Sequence, residues 1–291
     1  DVELASAFES VNTSSFGEEM RNEGGQKLYL LLCEIVESLR EHNMGVLIER
    51  GKLVNESLEF CWEKLHTGPW EQVASCWRHA YALCALLMAH LNALKAQWSE
   101  TSRLLDLVVL MGHAQWHAIA HAALKRVPVP QRLIDMASLQ WPDAPPLEVG
   151  SELRKFPTLP DCASLPTLSE FEARFLKRGV PCLLPGLARD WPAMHKWKDT
   201  AYLGEVLGSR VVPIELGKNY MHAEWSQQLM PFSQFFAKHV VEGQQPVGYL
   251  AQTELLQQVP ALWKDILVPD YCSMGTSTAT PTVNAWFGPA G

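Results

Sequence analysis

The sequence predicts an α+β chain. It reads as an all-helical N-terminal domain over residues 1–141, a proline-rich linker over 142–166, and the first part of a jelly-roll, cupin-like domain over 167–291. Three observations predict it. Apolar residues recur at helical spacing almost as far as Trp141. Pro142, Pro145, Pro146, Pro157, Pro160 and Pro166 then forbid regular helix. Beyond Gly179 the pattern changes to short apolar runs bounded by Gly and Pro, separated by short helical patterns and long returns. That mixture suits a jelly roll better than a parallel doubly wound sheet.

Composition bounds what such a chain can do. With 291 residues, 47% hydrophobic and 19% charged, it has enough apolar surface for two ordinary cores. A net charge of −8 argues against general nucleic-acid binding, which needs a basic face, and suits basic partners instead. Seven cysteines without a C-x-x-C pair read as reduced thiols of a nuclear or cytosolic protein. No apolar run reaches membrane-spanning length, and Asp1-Val-Glu-Leu4 lacks the basic start of a signal peptide.

In the helical part, Leu28, Leu31, Leu32, Ile35, Val36 and Leu39 share one side of a helix over 27–40. A second helix over 50–65 carries Leu53, Leu58, Cys61, Trp62 and Leu65 and stops at Thr67-Gly-Pro69. A long apolar helix is expected over 70–96 and another over 101–125, ended by Pro128 and Pro130. Short connections imply an antiparallel bundle or a helical-repeat stack, and the lack of a fixed period favours an irregular bundle.

His113, His117 and His121 stand at i, i+4 and i+8 of the expected last helix. Paired histidines at that spacing can bind zinc, but no Glu sits beside them, and i to i+8 rises about 12 Å. Interhelical packing is the better reading, as it is for Trp62, Trp70, Trp77, Trp98 and Trp116.

Thr167-Leu-Ser-Glu170 reads as a capping box opening a helix through Leu176, closed by Gly179. Strands follow at 180–186, at 210–216, where Pro213 suggests an edge or bulge, at 247–252 and at 282–287. Helices are expected at 200–207, at 231–241 with Phe232, Phe235 and Phe236, and at 259–267.

Seven segments in one order carry a resemblance. They are GVPCLLPGL (179–187), WPAMHKW (191–197), VPIELGKNY (212–220), EWSQ (224–227), GYLAQ (248–252), PDYC (269–272) and NAWFGPAG (284–291). Together they are similar to the Jumonji-C arginyl hydroxylases that carry a helical N-terminal domain, a group also described as lysine demethylases and histone-tail peptidases. The resemblance implies an Fe(II)/2-oxoglutarate-dependent dioxygenase that hydroxylates arginine in protein substrates, among them histone tails or chromatin-associated proteins, in nucleus and cytoplasm. A guanidinium is recognised by a carboxylate that takes paired hydrogen bonds and by flat aromatic faces. Glu215, Tyr220 and Trp225 match the family's arginine pocket, Gln252 and Trp286 match its further lining, and Tyr249 matches the tyrosine that reaches 2-oxoglutarate.

The family's iron ligands, a His-x-Asp pair and a later His, follow the NAWFGPAG segment and do not occur within these 291 residues. The expectation is therefore no metal or catalytic ligand in the chain and no activity by itself. The alternative is a non-catalytic form acting through its helical domain as a binding or regulatory module. His222-Ala-Glu224 has the form of a first metal pair but precedes the Pro231 helix, and is read as not metal-binding.

Overall fold

The computed structural model describes residue 8 and residues 11–128, 134–143, 164–217, 225–275 and 281–289. Its contacts divide the chain into two compact units, residues 1–133 with 209–211, and residues 134–208 with 212–291.

The first unit is helical. It contains α1 (Gly17–Asn22), α2 (Gln26–Arg40), α3 (Gly45–Leu65), α4 (Ser75–Leu94), α5 (Trp98–Met111) and α6 (His117–Leu124). Helix α4 is buried around almost its whole circumference, from Cys76 and Trp77 to Leu91 and Ala93, with α3 and α5 against it. A helix apolar on every side belongs at the centre, whereas α3 buries a single stripe of Leu47, Val54, Cys61 and Leu65. Trp77 and Trp116 are core residues, while Trp62 and Trp98 are half-buried.

The single helix expected over 101–125 is in fact two. Helix α5 ends at Met111, and Gly112 turns extended with ψ 174°. A Cβ on Gly112 would lie 2.4 Å from the Val108 carbonyl oxygen and 2.7 Å from the Ala82 side chain, so only glycine fits this close approach. His113 therefore lies outside both helices and caps a 3-10 turn with its own ring, which accepts from the Gln115 N–H at 3.2 Å. The three histidines do not share one helix face. His113 stacks instead on His79 of α4, ring centres 4.0 Å apart, and the Trp116 indole donates to His79 Nδ1 at 3.1 Å.

Burial, and secondarily the nearby His113, lowers the His79 pKa from 6.5 to about 4. Between those values the unfolded chain binds the proton and the folded one does not. The resulting stabilisation, about 3 kcal/mol, is complete above pH 6.5 and disappears as the pH falls to 4. His79→Gln should flatten this part of the pH dependence, measured by helical ellipticity during thermal unfolding from pH 7 to 4. An unchanged slope would show that His79 does not carry it.

The second unit begins before the linker predicted from sequence. Met136 is in its core, and the Trp141 indole donates to the Lys198 carbonyl at 2.8 Å and packs against Phe236 and Phe287. By its contacts Trp141 thus packs within the second unit. Helix α7 (Leu168–Phe171) opens on the full Thr167/Glu170 capping box and continues as π-helical turns to Leu176. Gly179, with φ 60°, ends the turn in the conformation that favours glycine. No strand forms at 180–186. That segment has an isolated bridge at Leu183, because Pro181 and Pro185 remove backbone donors on either side.

Helices α8 (Ala193–Lys196) and α9 (Thr200–Val206) lead to β1 (Val211–Leu216), β2 (Ser226–Pro231), α10 (Phe232–Phe235), β3 (Gly248–Thr253), α11 (Leu255–Gln258) and β4 (Ala285–Phe287). The sheet order is β2-β1-β3-β4, with β1/β3 and β3/β4 antiparallel. Strand β1 is thus interior, not an edge. Its pairing with β3 is Glu215 with Tyr249 and Leu216 with Gly248, beyond Pro213, so the missing proline N–H breaks neither pair. Strand β2 was not expected, since Ser226-Gln-Gln-Leu-Met-Pro231 has little intrinsic strand preference. Phe232, Phe235 and Phe236, fully buried, meet Ile214 and Leu250 under the sheet, and Phe287 closes on them edge-on.

Candidate functional site

Alternation along the strands gives the sheet two unlike faces. Ile214 of β1 and Leu250 of β3 belong to the core cluster, and Phe287 of β4 packs against it. The intervening residues Glu215, Tyr249 and Trp286 belong to the other face. Glu215 is half-buried, Tyr249 is 39% exposed and Trp286 is 55% exposed. Glu215 lies directly across the ladder from Tyr249. Five residues named from the sequence are described, and four of them lie on β1, β3 and β4. The fifth, Trp225, stands half-buried immediately before β2, the neighbour of β1. Tyr220 lies outside the described residues, as do His222 and Glu224.

Gln252 is exposed and takes φ 43°, a left-handed backbone that costs a non-glycine residue strain. The β3/β4 register shifts between Leu250–Phe287 and Thr253–Ala285, and Gln252 falls inside that shift. The bulge re-aims one side chain without breaking the sheet. Its amide is thereby directed by backbone geometry, which sequence alone did not reveal.

Two glycines of the site were read from sequence only as breakers or motif letters. A Cβ on Gly288 would stand 2.3 Å from the Tyr249 ring, and one on Gly248 would stand 2.4 Å from the His239 ring. Gly288 is thus a seat for Tyr249. The signal was the GYLAQ and NAWFGPAG pairing, since a bare glycine beside an aromatic strand marks a close backbone approach.

The chemistry of the open face is one carboxylate, a phenol, an amide and an indole. Such a set can hold a flat cation by paired hydrogen bonds and stacking. It does not fit an iron centre, which needs two imidazoles and a carboxylate converging. Among the described residues, no group of three or more His, Cys, Asp or Glu is arranged to hold a metal ion.

A separate cavity of about 360 Å³ lies in the same unit. Trp191, Trp197, Leu203, Leu256, Leu262 and Phe287 make most of its wall apolar, and Trp286 borders it. None of its lining residues carries a charge to pair with a guanidinium. In the same unit, Asp265 is fully buried and receives Lys196 Nζ at 2.8 Å, the Trp197 indole at 3.0 Å and the Tyr202 hydroxyl. Burial pushes the Asp265 carboxyl up, but the donors from Lys196, Tyr202 and Trp197 together outweigh it and hold it below the usual value. Burial, with the Asp265 hydrogen bond second, raises the Tyr202 phenol.

Residues 51–139 match the family "KDM8-like, N-terminal ARM repeats", and residues 168–291 match "Cupin-like domain". The first match replaces the irregular bundle preferred from sequence with a repeat stack. ARM units need only apolar positions facing their neighbours, so their sequence period can fade while the stack persists. The chain is 36% identical over 253 residues to Jumonji C domain-containing protein 5 of Drosophila melanogaster, covering 84% of this chain and 62% of that one. It is 33% identical over 279 residues to Lysine-specific demethylase 8 of Danio rerio, covering 86% and 64%. Lysine-specific demethylase JMJ30 of Arabidopsis thaliana is 31% identical over 262 residues, covering 80% and 61%. The chain spans less than two thirds of the length of these three relatives.

Proposed function

The chain carries KDM8-like ARM repeats followed by a cupin-like JmjC oxygenase domain, and from that premise we propose that it serves the hydroxylation of arginine side chains in proteins. The observation that carries the proposal is Glu215 facing Tyr249 on the open sheet face, with Gln252 and Trp286 on the adjoining strands. Glu215 would take the guanidinium by paired hydrogen bonds, with Trp225 and Tyr220 stacking on it. Tyr249 would hold 2-oxoglutarate.

Fe(II) and 2-oxoglutarate are the cofactors proposed for the complete family domain, where they supply the oxygen chemistry. The residues of the open face would serve recognition of the substrate side chain. We propose that residues 1–291 alone do not turn over substrate. Arginine-bearing histone tails or other chromatin proteins suit the acidic chain, and nuclear as well as cytoplasmic residence would follow from them.

The relatives named as demethylases favour a second reading, recognition of methylated lysine. Peptides identical except for Arg, Lys or methyl-lysine at one position separate the two by equilibrium binding. Arginine peptide should bind at least about tenfold more tightly than lysine peptide, because an ammonium cannot reproduce the planar fork. Tighter binding of methyl-lysine would favour demethylation. Binding that depends on the helical unit and ignores Glu215 would favour a non-catalytic binding module.

A further inference from the structure

The rung of the sheet that carries Glu215 continues past Tyr249. Glu215 of β1 pairs with Tyr249 of β3, and Leu250 pairs with Phe287 of β4, both antiparallel. One residue further along that register, Tyr249 stands opposite Gly288. The register shift of β3 against β4 lies on the other side of Leu250 and leaves this rung intact. Carboxylate, phenol and glycine therefore follow one another across three neighbouring backbones, about 4.8 Å apart, on the open face. All three belong to the second unit.

Nothing in the backbone of position 288 demands glycine. Its φ lies outside the left-handed region, and Pro289 after it favours the extended conformation that most residues adopt. What glycine supplies is room. A Cβ there would stand 2.3 Å from Tyr249 Cδ2 and 2.8 Å from Cε2. The Tyr249 ring thus lies over the β4 side of its strand, away from Glu215. The backbone at 288 has little freedom to retreat, because Phe287 is held edge-on against Phe232 and Phe235. A side chain at 288 would have to push the ring instead. The sheet beneath closes one direction, and the direction of β1 leads over Glu215.

We propose that Gly288 is a positioning residue: its empty Cβ place lets the Tyr249 ring lie over β4, and so keeps the space above Glu215 open to a flat cation. The seat itself rests on geometry alone; its consequence for ligand recognition rests on the arginine reading of Glu215. A guanidinium that takes paired hydrogen bonds from a carboxylate must approach it in one plane, and a phenol ring swung onto the same rung would block that approach.

The test uses the 291-residue chain labelled with 3-fluorotyrosine, read by fluorine NMR and by arginine-peptide affinity, with Tyr249→Phe assigning the signal of position 249. Gly288→Ala should move that signal while the other tyrosine signals stay in place, and should lower arginine affinity about tenfold. In a Tyr249→Ala background the same substitution should cost less than about twofold, because no ring is left to push. An unmoved signal would overturn the seat. Equal losses of affinity in the two backgrounds, or a displaced ring with full affinity, would overturn its consequence. Tyr249→Ala that by itself abolishes arginine binding would overturn it too, since the ring would then be a contact and not an obstacle held aside. If Gly288→Ala does not fold, the double variant decides: folding restored by Tyr249→Ala supports the clash, and failure of both sinks it. If Glu215→Ala leaves arginine affinity intact, the arginine reading fails, while the fluorine signal still judges the seat.

Discussion

Asp265→Ala should destabilise the β-rich unit by about 3 kcal/mol, the largest stability effect expected of a single substitution there. The carboxylate is fully buried and has three donors, from Lys196, Trp197 and Tyr202. Removing it strands the indole and the hydroxyl without a partner. Lys196 is 46% exposed and can rehydrate, which keeps the loss at the lower end for a broken buried pair. Asp265→Asn retains an acceptor and should lose less. The sign with pH follows from the lowered carboxyl. Its stabilisation is present above the ordinary aspartate value of 3.8 and is lost as the pH falls through the lower folded value. Denaturant unfolding followed by tryptophan emission measures both effects. A loss below about 0.5 kcal/mol for Asp265→Ala would mean that the donors find water without cost.

Glu215→Ala should weaken arginine-peptide binding by about 2 kcal/mol or more, roughly thirtyfold. Charge-assisted pairs in shielded sites reach about 5 kcal/mol, and half-burial of Glu215 places it near the lower limit. Trp225→Ala should lose less, about 0.5–2 kcal/mol, on the scale of stacking a cation on an aromatic face. Glu215→Gln keeps the shape but not the charge, and should fall between wild type and alanine. Isothermal titration with one arginine peptide across the series gives the order directly. If Glu215→Ala binds as tightly as wild type, the carboxylate is not the guanidinium partner.

Local chemistry made much of the molecule legible. The 3.6-residue apolar period located α2 and α3, because each must bury a stripe wherever its partners lie, and a long apolar run located α4. Thr167 and Glu170 announced their helix because a capping box satisfies its own backbone within four residues. Glu215, Tyr249 and Trp286 were named through motifs in order, and strand alternation carries them to one face.

Other features came from residues distant in sequence. Gly112 splits an apparent helix because Ala82 and the Val108 carbonyl leave no space for a Cβ. That break sends His113 to His79. Ser226–Pro231 becomes a strand beside β1 despite weak propensity, because pairing with β1 outweighs intrinsic preference. The strained backbone of Gln252 exists only where β3 and β4 change register.

The sequence by itself determined the helical-then-β order, the caps and breakers, and the residue types available for recognition. Each is set by a period or a spacing of a few residues. Tertiary structure alone decided that Asp106 meets Arg210 and Val211, that Lys196, Trp197 and Tyr202 converge on Asp265, and that Gly288 seats Tyr249. A buried charge needs its partner brought back from elsewhere in the chain, and no local pattern specifies which return will deliver it.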